Sequence, residues 1–342
     1  MRSLLPLLLS LCLTVKSLPV NGYDDLEPQQ QQLNQMNAKP SSTPKQIHSH
    51  NDYWREKPLF SALELDITSV EADVWLSPET GVLLVGHKSN DVKAAQADQK
   101  TLQSLYLDNI YNILEKHNSY TSQSSPGPNN TDKAERGWNG IFEYFPNQTL
   151  YLFIDFKHNS EDTYKAIQSS LEPFREKGWL TYHNETSNTT YEGPLTVIGT
   201  GETPLNLIIE EKFQRDIFYD APLHNLNETF SAYNNKVSIF ASSSIKKVMT
   251  CNQGISRVAS NRGLDDNQID CVLKAINQAH ELGLMTRIWD TPDWPLAKEK
   301  IVWSQLLFLG TDYLNADDIY LARSFDTSFV RGTASGAVPL LI

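Results

Sequence analysis

The stretch Ser69-Val70-Glu71-Ala72-Asp73-Val74-Trp75-Leu76 alternates with a period of two. Successive side chains of a strand point to opposite faces, so Val70, Ala72 and Val74 share one face and Glu71 and Asp73 the other. A solvated strand face is the ordinary reading of Glu-X-Asp. The apolar neighbours argue against it here, and so does a second strand, Tyr151–Phe156 (YLFIDF), which carries Asp155 in a similar setting. Two carboxylates aimed at one place repel each other unless a cation lies between them. A set of hard oxygen donors, with Asp155 as the third, suits Mg²⁺ or Ca²⁺.

Outward from this stretch, short apolar strands alternate with helical patterns. Strands are expected at Gln46–His50, Ser69–Leu76, Val82–Gly86, Tyr151–Phe156, Leu195–Gly199, Ile217–Tyr219, Val237–Ala241, Met285–Trp289 and Tyr313–Asn315. Helices are expected at Pro58–Leu65, Leu102–Lys116, Thr163–Lys177, Pro204–Phe213, Asn267–Leu282 and Lys298–Leu309. Repeated βα units imply a parallel sheet. Roughly eight units in about 280 residues suit a closed (β/α)₈ TIM barrel, with a doubly wound open sheet as the alternative. Gly199-Thr200-Gly201 lacks the rest of any phosphate-loop fingerprint.

Reactive groups of a parallel barrel gather at the C-terminal ends of its strands. Those ends offer His48, His50, Asn51 and Asp52, then Glu71 and Asp73, then His87, then Asp155 and Lys157, and later Asp220, Trp289, Asp290, Asn315, Asp317 and Asp318. His50 and His87 flank the carboxylates and form a potential acid–base pair, since imidazoles titrate near neutrality. A lone His is more often structural. His48 competes with His50, two residues away on the same face.

The chain has 342 residues and a formal charge of −12. That balance argues against nucleic acid as a partner, because duplex binding needs clustered Lys and Arg. Met1 to Ser17 has one early basic residue, an apolar run from Leu4 to Val15 and small residues near Ser17, which fits a secretory signal peptide. A retained anchor is the alternative, although the run is short for a stable transmembrane segment. Removing Arg2 and Lys16 with the signal takes the charge to −14 and leaves Cys251 and Cys271, either paired or free. Residues 18–45, with Gln29 to Gln32, read as a disordered linker. The barrel is expected over 46–325 and a tail over 326–342. Asn-X-Ser/Thr sequons at Asn129, Asn147, Asn184, Asn188 and Asn227 fit a secreted glycoprotein. No amphipathic or basic stretch marks a membrane-docking face, and the sequence leaves the oligomeric state open.

Taken in order, these motifs resemble those of the phospholipase-C-like phosphodiesterase superfamily, which includes glycerophosphodiester phosphodiesterases and sphingomyelinase D-like enzymes. The matching residues are His50, Glu71 with Asp73, His87, Asp155, and Asp155-Phe156-Lys157 as an Asp-X-Lys strand. A narrower set is similar to the fungal altered inheritance of mitochondria protein 6 family. It comprises His48-Ser49-His50-Asn51-Asp52-Tyr53, the Glu71 strand, Val85-Gly86-His87 and Trp289-Asp290-Thr291-Pro292. The chain departs from the glycerophosphodiesterase pattern: His-Arg-Gly is missing, Lys88 follows the second His where an acid is usual, and Asp155 stands where Glu is usual.

The resemblance implies metal-assisted cleavage of a phosphodiester, in a glycerophosphodiester or phospholipid-type substrate. Glu71, Asp73 and Asp155 would hold one divalent cation, and His50 and His87 would move protons. Lys157 would contact phosphate; His48, Asn51 and Trp289 would line the pocket. A cyclic phosphate is an expected first product. The alternatives are a secreted barrel that binds without catalysis, and an unrelated metal hydrolase, which usually needs more ligating His than this rim offers.

Overall fold

A computed structural model describes residues 43–119, 137–158, 160–226, 232–251, 258 and 262–325. The expected signal peptide, most of the linker, the tail, Asn129 and Asn227 lie outside the described residues. In chain order the elements are β1 (Lys45–Ser49), α1 (Phe60–Leu63), β2 (Ile67–Leu76), β3 (Leu83–Val85), α2 (Ser89–Ala97), α3 (Asp108–Ser119), β4 (Leu150–Phe156), α4 (Ser160–Ser170) and α5 (Glu172–Glu176). They continue with β5 (Tyr182–Asn184), β6 (Thr189–Tyr191), β7 (Leu195–Gly201), α6 (Leu205–Glu210), β8 (Ile217–Tyr219), β9 (Ala221–Pro222), β10 (Phe240–Ser244) and α7 (Ile245–Val248). The last are α8 (Asp266–Glu281), β11 (Met285–Trp289), α9 (Leu296–Phe308), β12 (Tyr313–Ala316) and α10 (Ile319–Ser324).

The main sheet runs β8-β7-β4-β2-β1-β12-β11-β10-β9, with every neighbouring pair parallel. Its two ends, β8 and β9, are pieces of one extended run parted by Asp220. One piece pairs with β7 and the other with β10, so this run joins the edges of the sheet. Counted once, it makes the architecture an eight-stranded (β/α)₈ barrel.

Strands buried on both faces account for the core. Val70, Ala72 and Val74 of β2 are fully buried on the outer face, where Tyr106, Leu107, Ile110 and Leu114 share their cluster. The barrel interior holds Phe153, Ile198, Phe218, Phe240 and Tyr313. The rings of Phe240 and Tyr313 meet edge-to-face at 5.0 Å, as do those of Phe153 and Phe240. This aromatic plug fills the lower barrel, and the cavity with its charged side chains lies above it at the C-terminal mouth. Edge-to-face contacts match the positive ring edge to the negative ring face.

Several elements differ from the sequence expectation. The helix expected over Thr163–Lys177 divides into α4 and α5, where Pro173 near the start of α5 offers no backbone N–H. The strand expected at Val237–Ala241 lies later, at Phe240–Ser244, because Ser242, Ser243 and Ser244 are buried in the barrel despite their polarity. The polar stretch 181–193 contains the β5–β6 hairpin, in which Tyr182 stacks on Tyr191 at 4.8 Å. Helix α8 follows its pattern closely: Asp265 caps Gln268 N–H, Val272, Ala275, Ile276 and Ala279 turn inward, and Gly283 follows with φ 74°. Cys271 on this helix is disulfide-bonded to Cys251, with Cα atoms 5.6 Å apart. No helix among the described residues is long and apolar enough to cross a membrane.

Candidate active site

Strand register assembles the acids. β2 and β4 pair with Asp73 directly opposite Asp155, and Asp155 in turn lies opposite Thr200 of β7. Glu71, one inward position below Asp73, completes a set of oxygens that all lie within 4.8 Å of one another. β2 then folds back antiparallel as β3, with Val74 opposite Val85. The return is tied by Gly86 N–H donating to Asp73 O at 3.0 Å and by Trp75 Nε1 donating to Gly86 O at 2.7 Å. His87 is thereby delivered to Asp73, its Nδ1 2.9 Å from Oδ2.

The loop after β1 delivers the other histidine. Asp52, fully buried, accepts from Ser49 Oγ at 2.5 Å and Leu59 N–H at 2.6 Å, which pins the loop beneath the mouth. Asn51 takes a left-handed backbone, φ 48°, a conformation that Asn tolerates better than most residues. Its N–H donates to Glu71 Oε2 at 2.9 Å, and its side-chain oxygen accepts from Tyr53 Oη at 2.8 Å. His50 Nδ1 lies 2.8 Å from Asp317 Oδ1, and its Nε2 lies 3.8 Å from Glu71 Oε2.

One cavity of about 380 Å³ gathers His50, Asn51, Glu71, Asp73, His87, Asp155, Lys157 and Trp289. His48 is not among its lining residues. It is fully buried below the floor, edge-on to Phe153 at 4.7 Å, with Nδ1 2.8 Å from Ser69 Oγ. Burial, reinforced by the Arg287 charge, pushes His48 down to about 3, so it is neutral. For His50, burial is outweighed by Asp317 and Glu71, and its pKa rises above the ordinary value. Burial also opposes ionisation of Glu71, yet the surrounding His48, His50 and Arg287 hold it well below the usual carboxylate range.

The spot between Asp73 and Asp155 already holds a positive charge. Lys157 Nζ lies 2.8 Å from Asp73 Oδ2 and 2.7 Å from Asp155 Oδ2. Burial raises Asp155 to about 6, with the charge of Asp73 adding to the rise and Lys157 opposing it. Together with Glu71, these two acids form a set of three hard oxygen donors that could hold a divalent cation.

The cavity also includes Thr200, Gly201, Glu202 and Arg287, which the sequence reading did not assign to the site. Arg287 was detectable, because it lies two residues before Trp289 and so shares its face. The guanidinium sits over the Phe153 ring at 4.7 Å, donates to Ser242 Oγ and Asn315 Oδ1 at 3.0 and 3.1 Å, and lies 3.9 Å from Glu71. Asp317 was recognisable as a strand-end acid, but its pairing with His50 depends on β12 lying beside β1.

Residues 37–220 match the AIM6-like phosphodiesterase domain. The chain belongs to the AIM6-like phosphodiesterase family. Among its relatives, altered inheritance of mitochondria protein 6 homolog from Arthroderma benhamiae is 35% identical over 285 residues, covering 82% of this chain and 83% of that protein. Altered inheritance of mitochondria protein 6 from Kluyveromyces lactis is 34% identical, covering 80% of this chain and 70% of its own. A glycerophosphodiester phosphodiesterase from Parabacteroides distasonis, solved by crystallography, overlaps 81% of this chain and 94% of its own at 14% identity and a TM-score of 0.41. All the AIM6-like motif residues up to Asp220 fall within the matched span, while Arg287, Trp289 and Asp317 lie beyond it.

Proposed function

We propose that this AIM6-like protein cleaves phosphodiesters of the glycerophosphodiester or phospholipid type, using one divalent cation and two histidines. The observation that carries this reading is the convergence of Glu71, Asp73 and Asp155 with His50 and His87 on one cavity. Each histidine is held through Nδ1 by a carboxylate, Asp317 for His50 and Asp73 for His87. That arrangement orients the ring and leaves Nε2 for chemistry.

Glu71, Asp73 and Asp155 would hold the cation, which when bound would polarise a phosphate oxygen and offset its developing charge. His50, whose pKa is raised, is the better proton donor to a leaving oxygen. His87 accepts the proton of the attacking hydroxyl at Nε2. Lys157, poised at the carboxylates, is within reach of a bound phosphate, and Arg287 adds fixed positive charge at the cavity floor. Trp289 walls one side. Where the attacking hydroxyl belongs to the substrate, the first product is a cyclic phosphate.

Entry into the secretory pathway belongs to the same proposal. It is supported by the apolar run Leu4 to Val15, by the Cys251–Cys271 disulfide, which suits an oxidising compartment, and by exposed sequon residues Asn147 and Asn188. Phosphorus NMR on a panel of glycerophosphodiesters, lysophospholipids and sphingomyelin tests the reading, with Mg²⁺ or Ca²⁺ added or chelated. Cleavage that needs the cation supports it. Cation binding with no cleavage across the panel defeats it in favour of a non-catalytic binding module.

A further inference from the structure

Three exposed aromatic side chains stand in the segments that follow barrel strands: Trp54 in the turn after β1, Trp294 in the loop after β11 and Tyr320 at the start of α10 after β12. They are 61%, 80% and 64% exposed. β1 pairs with β12 and β12 pairs with β11, so the three segments occupy one sector of the mouth. Nothing in the sequence joins positions 54, 294 and 320; the pairing of β12 with β1 and β11 does.

The sector is continuous with the candidate active site. Trp54 and Tyr320 face a groove of about 460 Å³, which also includes His50 and Asn51 of the catalytic cavity. Trp54 packs edge-on against His87, with ring centroids 5.6 Å apart. Partly exposed Leu296, next to the Trp294 loop, adds apolar surface. Trp and Tyr combine an apolar body with a polar tip and favour the boundary between water and hydrocarbon.

Charge narrows the kind of boundary. Asp318, Asp293 and Asp317 lie close enough to Glu299 to repel its carboxylate, and after burial this repulsion, which Lys300 opposes, keeps the Glu299 carboxyl raised. The one arginine lining the groove, Arg55, has its guanidinium occupied by the carbonyls of His50 and Asp317. An anionic surface would be repelled here. A zwitterionic surface presents its ammonium groups outermost, and these meet carboxylates.

We propose that the Trp54–Trp294–Tyr320 sector docks on a zwitterionic phospholipid surface and that the active site draws its diester from that surface. The docking half stands on the rim alone; the second half rests on the phosphodiesterase reading. The test uses the full-length chain, phosphatidylcholine vesicles and vesicles containing phosphatidylglycerol. Wild-type protein should co-sediment with phosphatidylcholine, and more weakly as phosphatidylglycerol is added. A W294A/Y320A variant, whose lost side chains are exposed, should keep its melting temperature and bind about a hundredfold more weakly, about tenfold for each aromatic. It should cleave a monomeric short-chain diester as well as wild type, yet cleave vesicle lipid more slowly. Absence of co-sedimentation, preference for anionic vesicles, or undiminished binding by the variant overturns the docking. Co-sedimentation without cleavage of either substrate supports the docking and defeats the phosphodiesterase reading instead.

Discussion

A methyl group at position 201 would collide with the Asp155 carboxylate. A Cβ on Gly201 would lie 2.0 Å from Asp155 Oδ1 and 2.8 Å from Phe156 O, and its φ of +67° strains any other residue. Gly201→Ala should cost about 1–3 kcal/mol of stability, by overpacking and backbone strain together. Thermal unfolding checks that, and calorimetry with Mg²⁺ or Ca²⁺ should show weaker binding, because Asp155 must move. The histidines make a contrasting pair of tests. His87 is partly exposed and packs against no core, so His87→Ala should keep the melting temperature. Its turnover of a diester should fall about 10²–10⁴-fold, the usual contribution of a positioned acid or base; near-wild-type turnover would remove His87 from the mechanism.

At the scale of elements, helix α9 and the loop before it carry an electrostatic cost that pH can relieve. The carboxyl of Glu299 is pushed from 4.5 up to about 7, first by burial and then by Asp318, Asp293 and Asp317. A carboxyl raised in the folded state contributes most to stability below its unfolded pKa. That contribution is lost as pH rises from 4.5 through about 7. Glu299→Gln should therefore melt higher than wild type at pH 8 and show little difference near pH 4.5; melting curves across that range decide it. The hairpin β2–β3 shows the same dependence of function on element geometry. Its register alone returns His87 to Asp73, fourteen positions away in the chain.

At the scale of the whole molecule, a disulfide closes a loop of chain. Cys251 and Cys271 lie 20 residues apart and tie the stretch after α7 to helix α8. Cys251→Ser with Cys271→Ser should lower stability by about 2–4 kcal/mol, mostly through the greater freedom of the unfolded chain. Denaturant unfolding measures this, and diester turnover should change little because the bridge touches none of the cavity residues.

The sequence by itself determined a parallel sheet flanked by helices, because strands buried on two faces and separated by helices need cover on both sides. It pointed to a (β/α)₈ barrel and left a doubly wound open sheet as the alternative, which the pairing of β8 with β7 and of β9 with β10 at the two sheet edges removed. It also determined the metal-site candidates, since Glu71 and Asp73 share a face by strand geometry and Asp155 stands in an equivalent strand. Local periodicity carries that information. Strand order and depth within the barrel do not show locally, and the tertiary structure decided what depends on them. It separated His50 at the cavity from His48 one layer beneath it, although their positions differ by only two residues. It brought Asp317 to His50 and Arg287 to Glu71 across the mouth. It joined β8 and β9 across Asp220 to close the ring, and it paired β12 with both β1 and β11, which set Trp54, Trp294 and Tyr320 on one rim. Each of these contacts links residues far apart in the chain, which only ring closure and register can bring together.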